Sequence, residues 1–289
     1  MFMPQVLTFS VWHRLRAYGI LTKPRLSVVV VFSAVMGAVI GGGGEWWLWP
    51  LLLVGGYGVT GAANALNQVI ERETDRLMVR TASRPLPMGQ VSVAEAVGVA
   101  LGCMGVGLVA LAAIRWEVAL VGLLALLIYV FVYTPLKRVG PIAVVVGAIP
   151  GALPPVIGYW ASQPVFDHQL WVLFGVQFLW QFPHFWIIAW ISREDYERAG
   201  FRLLPFLDEK SNRLAILAVS FLLSLSGLVV GLYSGLGAGL WTGLLGLGVL
   251  GMAIRFYRRP ELFVARQFLI GLTIFLTLFY LGLWLWSQR

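Results

Sequence analysis

Asn67, Glu71 and Asp75 stand at four-residue steps where a long apolar run ends. On a helix each step turns by about 40°, so one face carries an amide and two carboxylates. Hard oxygen donors of this kind suit magnesium bridging the oxygens of a diphosphate. Carboxylates at the mouth of a membrane segment are costly to bury unless a cation or a partner meets them. Arg72, Arg76 and Arg80 alternate with the acids at the same interval, which also describes a solvated helix end laced with ion pairs. Spacing alone leaves both readings open.

Further along, Tyr133 and Lys137 close the fourth apolar run, with Arg138 next to them. Lys137 suits the neutralisation of a leaving diphosphate as a point charge, and equally a plain cytoplasmic anchor. Glu194 and Asp195 follow a segment holding Gln177, Trp180, Gln181, Pro183, His184 and Trp186. His184 precedes Asp195 by eleven residues, about 16 Å deeper on an ideal helix. An imidazole there needs a hydrogen bond across helices or a ligand to hold. Lys23-Pro24-Arg25 reads as the charged collar of the first helix in preference to a cation at an active face. Trp12, His13, Arg14 and Arg16 read as an interfacial amphipathic piece. The turn-rich segment from Arg80 to Gln90 is long for a connector and suggests a cap over the acids.

The elements that must position these residues are membrane helices. Of 289 residues, 59% are hydrophobic and 12% charged, which defines an integral all-α membrane protein. Hydropathy places nine helices near 26–44, 47–70, 93–113, 116–134, 140–160, 169–191, 213–233, 236–254 and 263–287. We read residues 1–289 as a single polytopic domain, with 1–25 as a cytoplasmic or interfacial N-terminal segment lacking an evident signal peptide. The net charge of +8 is topological, which argues against nucleic acid: of the 21 Lys and Arg residues, only Arg115 and Arg289 fall outside the N-terminal segment and alternate loops. That asymmetry puts the N-terminus in the cytoplasm and the C-terminus outside. It also brings Glu194 and Asp195 to the face that carries Glu71 and Asp75, as a two-sided metal–diphosphate site requires. Pro141, Pro150, Pro154 and Pro155, with Gly147, Gly151 and Gly158, predict a broken fifth helix beside a chamber. Gly102 to Gly107 read as packing surface. The single cysteine, Cys103, excludes an intramolecular disulfide. No phosphate-binding glycine loop, nucleophile elbow or His-Glu-x-x-His helix occurs.

These motifs together resemble the intramembrane aromatic prenyltransferases of the UbiA superfamily, most closely their protohaem IX farnesyltransferase branch. Asn67-x-x-x-Glu71-x-x-x-Asp75 with Arg80-Thr81 is similar to the first acidic motif, and Arg84-Pro85-Leu86-Pro87-x-Gly89 to the stretch after it. Tyr133-Thr134-x-x-Lys137-Arg138 resembles the Tyr-x-x-x-Lys element. Gly151-Ala152-x-Pro154-Pro155, Trp180-Gln181-x-Pro183-His184-Phe185-Trp186 and Asp195-Tyr196-x-x-Ala199-Gly200 resemble segments of the haem branch. The sequence departs from the pattern at Glu71, where the family usually has Asp, at Gly140-Pro141, and in lacking a literal second Asp-x-x-x-Asp. The resemblance implies nine transmembrane helices around a central chamber in the cell (inner) membrane, with a cytoplasmic polar cap. It implies farnesyl transfer from farnesyl diphosphate to a vinyl group of haem B. Magnesium would be held by Asn67, Glu71, Asp75 and Asp195, with Glu194 beside them. Arg80, Tyr133, Lys137 and Arg138 would meet the diphosphate, and His184 the haem. Membrane lipid is an implied partner, and a protein that delivers or receives the haem is left open. Rival readings are a related enzyme acting on a quinone precursor, a tetrapyrrole or a lipid alcohol, and a membrane transporter.

Overall fold

The computed structural model describes residues 11–287, and every regular element in it is helical. Expectations for residues 1–10 and for Gln288 and Arg289, the outward C-terminal end among them, lie outside the described residues. Helix α1 (Val11–Leu21) leads into α2 (Pro24–Ile40), the two axes bent by 45°. Pro24 opens α2, where its missing N–H leaves no helical bond unmade. Helix α3 (Leu48–Ile70) gives way to the short α4 (Arg72–Leu77), and α5 (Val93–Ile114) and α6 (Trp116–Leu127) follow. A π-helical stretch, Ile128–Tyr133, extends α6 into a single turn, α7 (Thr134–Leu136). The rest comprises α8 (Ile142–Ser162), α9 (His168–Ile191), the short α10 (Arg193–Arg198), α11 (Glu209–Ser234), α12 (Leu236–Arg258) and α13 (Leu262–Ser287).

Among the described residues, 7 helical stretches are long and apolar enough to cross a bilayer: α5, α6 through α7, α8, α9, α11, α12 and α13. The chain is thus a multi-pass membrane protein. Helix α2 has only 17 residues, and the inner face of α3 carries buried Asn64, Asn67 and Gln68. Helix α2 thus falls short in length and qualifies only together with Arg14–Leu21 of α1, as one bent span that would make up to 8, and α3 falls short in hydropathy.

Small residues let the helices close on one another. A Cβ on Gly158 would lie 1.7 Å from the Ala34 carbonyl oxygen, and one on Gly37 would lie 2.0 Å from that of Pro155, so α2 and α8 meet backbone to backbone. Of the stretch read as packing surface, Gly107 does pack, against Gly58 of α3, whereas Gly102 and Gly105 face open space. Apolar side chains such as Leu173, Ile187, Ile216, Phe268 and Phe279 fill the core among α8, α9, α11, α12 and α13.

The expected break in the fifth membrane segment is corrected by the structure. Helix α8 continues unbroken through Pro150, Pro154 and Pro155. Pro155 cannot donate to the Gly151 carbonyl one turn earlier, and Gln177 Nε2 of α9 donates to it instead, at 2.6 Å. Irregular backbone falls one segment earlier, in the π-helical stretch that leads into Tyr133, Thr134 and Lys137.

Candidate active site

Asn67, Glu71 and Asp75 are buried, with exposures of 1%, 5% and 0%. The helix breaks at Glu71, yet Glu71 N–H donates to the Asn67 carbonyl at 2.9 Å and Asp75 N–H to that of Glu71 at 2.7 Å. The four-residue step therefore survives the break. Each acid meets a cation from another element. Glu71 Oε1 lies 2.8 Å from Lys137 Nζ, beyond α7, and Asp75 Oδ2 accepts from Arg84 Nη1 at 2.7 Å. The other oxygen of Asp75, Oδ1, is buried without a hydrogen-bond partner. Asn67 Nδ2 donates to Thr134 Oγ1 at 3.1 Å, while its Oδ1 accepts from Lys23 Nζ at 3.3 Å.

Burial pushes the Asp75 carboxyl above its ordinary value, and Arg84 pulls in the opposite direction. Burial also works against the Lys137 ammonium, but Glu71 and Tyr129 outweigh it and hold Lys137 above its ordinary value. The surface ion-pair reading holds instead for Arg72 and Arg76, which both pair with exposed Glu73, at 2.7 and 2.8 Å.

The segment after α4 folds back onto the acids. Thr81 Oγ1 donates to the Asp75 carbonyl at 2.9 Å, and Arg84 reaches the Asp75 side chain as described. Asp195, at the start of α10, accepts from the backbone N–H groups of Val79 and Arg80 at 3.0 and 3.4 Å and pairs with Arg198. Burial raises the Asp195 carboxyl, but Arg198 and those two N–H groups outweigh it and hold Asp195 below the usual carboxylate range. Arg80 itself lies 4.0 Å from Asp195 Oδ2 and stacks over the Tyr196 ring, 5.0 Å from its centroid. Lys137 Nζ sits 4.7 Å from the centroid of buried Tyr133.

Both acidic groups therefore reach one end of the bundle. Among the described residues, no three His, Cys, Asp or Glu side chains form a group that could hold a metal. Asp195 is committed to backbone donors. Glu194 and Arg138 are exposed, and neither side chain makes a hydrogen bond or ion pair among the described residues.

His184 lies deeper on α9. Its ring stacks on Trp180 at 4.5 Å, and its Nδ1 is buried without a hydrogen-bond partner. The bonds across helices come from its neighbours. Trp180 Nε1 donates to the Leu272 carbonyl at 2.6 Å and Gln181 Nε2 to that of Ala148 at 2.8 Å, while Gln177 accepts from Tyr280. Phe185 touches both the His184 ring, at 5.8 Å, and the Tyr133 ring, at 6.4 Å, so aromatic contacts run from His184 to the cation–acid cluster. A separate cleft of about 760 Å³ between α2, α3 and α5, lined by Phe32, Tyr57 and Cys103 among others, includes none of the predicted site residues.

Sequence reasoning left Arg84, Thr134 and Lys23 out of the site. Arg84 and Thr134 fall inside the motifs without a role of their own, and Lys23 reads as a collar.

A helical membrane bundle with this cluster at one end defines a class, and the chain belongs to the UbiA prenyltransferase family, whose model matches residues 28–279. Among its relatives, the protoheme IX farnesyltransferase of Cytophaga hutchinsonii is 47% identical over 213 residues, covering 73% of this chain and 74% of that one. The protoheme IX farnesyltransferase of Christiangramia forsetii is 38% identical over 267 residues, 89% of either chain. That of Anaeromyxobacter dehalogenans is 37% identical over 297 aligned residues, 98% of this chain and 96% of that one. Solved structures share the fold. A digeranylgeranylglyceryl phosphate synthase superposes with a TM-score of 0.76 at 17% identity, covering 94% of this chain and 98% of its own. A UbiA homologue from Archaeoglobus fulgidus bound to GPP and Mg2+ gives a TM-score of 0.63 at 17% identity, covering 92% and 99%.

Proposed function

We propose that this protein transfers a farnesyl group from farnesyl diphosphate to a vinyl group of haem B, releasing diphosphate. Water completes the hydroxyethylfarnesyl substituent of haem O. The observation that carries this reading is a buried acid–cation cluster joined by aromatic contacts to His184. It occurs in a chain 37–47% identical to the protoheme IX farnesyltransferases above.

The donor chemistry of the cluster fits magnesium. Asn67, Glu71 and Asp75 offer an amide and two carboxylates on successive turns, and one buried Asp75 oxygen has no hydrogen-bond partner. These three would hold the ion, with substrate oxygens completing its shell, and magnesium when bound supplies charge neutralisation at the diphosphate. Asp195 anchors the Val79–Arg80 backbone and so fixes Arg80. Lys137, Arg80 and Arg84 offset charge on the leaving oxygens as the allylic carbon–oxygen bond breaks. Tyr133 and Phe185 keep water from the allylic cation and face it with π electrons. The vinyl carbon then attacks. His184 positions the haem, through its iron or a propionate.

We further propose nine membrane spans in one domain, by adding α2 and α3 to the seven above. Asn64, Asn67 and Gln68 of α3 are buried against neighbouring elements and do not meet lipid. In this arrangement the cluster lies under a cytoplasmic polar cap formed by residues 78–91 and α10, in the cell membrane.

The test incubates purified protein with haem B, farnesyl diphosphate and Mg2+ and analyses the haems by mass spectrometry. A farnesylated, hydrated haem is expected. No such product, with prenylation of 4-hydroxybenzoate in its place, would overturn the haem reading.

A further inference from the structure

We infer that Lys23 binds the substrate's diphosphate as a cation delivered from the α1–α2 turn. The inference rests on the reading above that this cluster accepts a prenyl diphosphate. The turn is held in place with unusual care. Asn64 Nδ2 donates to the Thr22 carbonyl at 3.4 Å and to Ser27 Oγ at 3.3 Å, and Gln68 Nε2 donates to the Leu21 carbonyl at 2.7 Å. Ser27 Oγ donates to the same Thr22 carbonyl at 2.7 Å. Two polar side chains of α3 thus fasten the turn one helical step from Asn67. Lys23 is also the one non-glycine residue described with positive φ, at 47°. Left-handed backbone is strained for a lysine, and here it ends α1, with Lys23 N–H donating to the Ile20 carbonyl at 3.1 Å. Its result is to aim the side chain inward, so that Nζ reaches Asn67 Oδ1.

Charge counting gives the reason. Burial, and after it Arg84 and Lys137, bring the Lys23 ammonium down to about 7, with Glu71 and Asp75 acting the other way. Lys137 holds Glu71 and Arg84 holds Asp75, so of these three cations Lys23 is the one without a carboxylate partner among the described residues. An ammonium has three donors, and Asn67 takes one. A partly buried surplus cation with free N–H groups is stable beside an anion and costly without one. A diphosphate over Asn67 meets both needs.

The experiment uses the full chain in lipid nanodiscs with Mg2+ and measures binding of farnesyl S-thiolodiphosphate, an analogue that resists ionisation, by calorimetry. Lys23→Met and Lys23→Gln are expected to bind it ~10- to 100-fold more weakly, the worth of one charge-assisted hydrogen bond. Lys23→Arg should restore affinity to within about threefold, because the charge returns. The KM for farnesyl diphosphate should rise in the Gln variant, with the KM for haem B unchanged. Lys23→Gln keeps a donor for Asn67, so it carries the test if Lys23→Met does not fold. Affinity of Lys23→Gln within about twofold of wild type overturns the inference and leaves the parent reading intact. A wild-type protein that fails to bind the analogue overturns both.

Discussion

Asp75 shows how much a single side chain is asked to do. It is fully buried, accepts from Arg84 through one oxygen and keeps the other without a partner. If that oxygen faces a metal-bridged diphosphate, Asp75→Asn should keep the shape while removing the charge. We expect kcat/KM for farnesyl transfer to fall by about 100-fold or more, with the folded fraction in detergent little changed. An Asp75→Asn protein within about threefold of wild-type rate would remove the carboxylate from the chemistry. For His184, the Nδ1 without a partner and the Trp180 stack point to haem placement in preference to structural bonding. His184→Ala should raise the KM for haem B by about tenfold or more while changing the slow hydrolysis of farnesyl diphosphate by less than about threefold. Equal losses in the two assays would count against that role. At this scale the sequence revealed the acids and the histidine, because their types are costly in a membrane. It concealed Lys23 and Arg84. A lysine before Pro24 is what any helix collar looks like, and its inward turn depends on Asn64 and Gln68, some 40 residues away in the chain.

Hydropathy located the helices well, as in α3, expected over 47–70 and found at Leu48–Ile70. Their irregularities were less visible. Ile128–Tyr133 contains no Pro or Gly to announce a π-helical stretch, and the prolines of α8 announce a break that does not occur. The cure for Pro155 sits on another helix, since Gln177 supplies the donor that the Gly151 carbonyl lost. Gln177→Leu removes this donor and the acceptor for Tyr280 at once, and should cost about 2 kcal/mol of unfolding free energy. In a Pro155→Ala background the helix regains an N–H for Gly151, so the same substitution should cost less by about 1 kcal/mol. A double-mutant cycle in mixed micelles measures the difference. Strict additivity would mean that Gln177 and Pro155 are not compensating partners.

For the whole molecule, the placement of charge and the placement of helices must agree on sidedness. Positive loops follow alternate segments whether α2 and α3 both cross the bilayer or neither does, but a hairpin dipping in and out on one side would leave Glu45 beside the cluster end. The two arrangements differ in what a membrane-impermeant maleimide can reach. Half-buried Cys103 is the only native thiol, so single-cysteine variants can be built on Cys103→Ser. Glu45 and Gln163, in the α2–α3 and α8–α9 connections, are exposed, as are Met88 at 59% and Leu207 at 86% in the segments at the cluster end. In intact cells stripped of their outer barrier, Glu45→Cys and Gln163→Cys should label at once. Met88→Cys and Leu207→Cys should label only after permeabilisation. Labelling of Glu45→Cys together with Met88→Cys would reduce α2 and α3 to a re-entrant pair and cancel the nine-span arrangement. The diphosphate would still meet its cations, since Lys23, Lys137 and Arg84 surround the acids whichever side of the membrane they face. The compartment from which farnesyl diphosphate must come would stay the same as well, because removing two consecutive spans leaves the positive loops at the cluster end on their side. The soluble headgroup can reach the acids only from the side on which α4, residues 78–91 and α10 emerge.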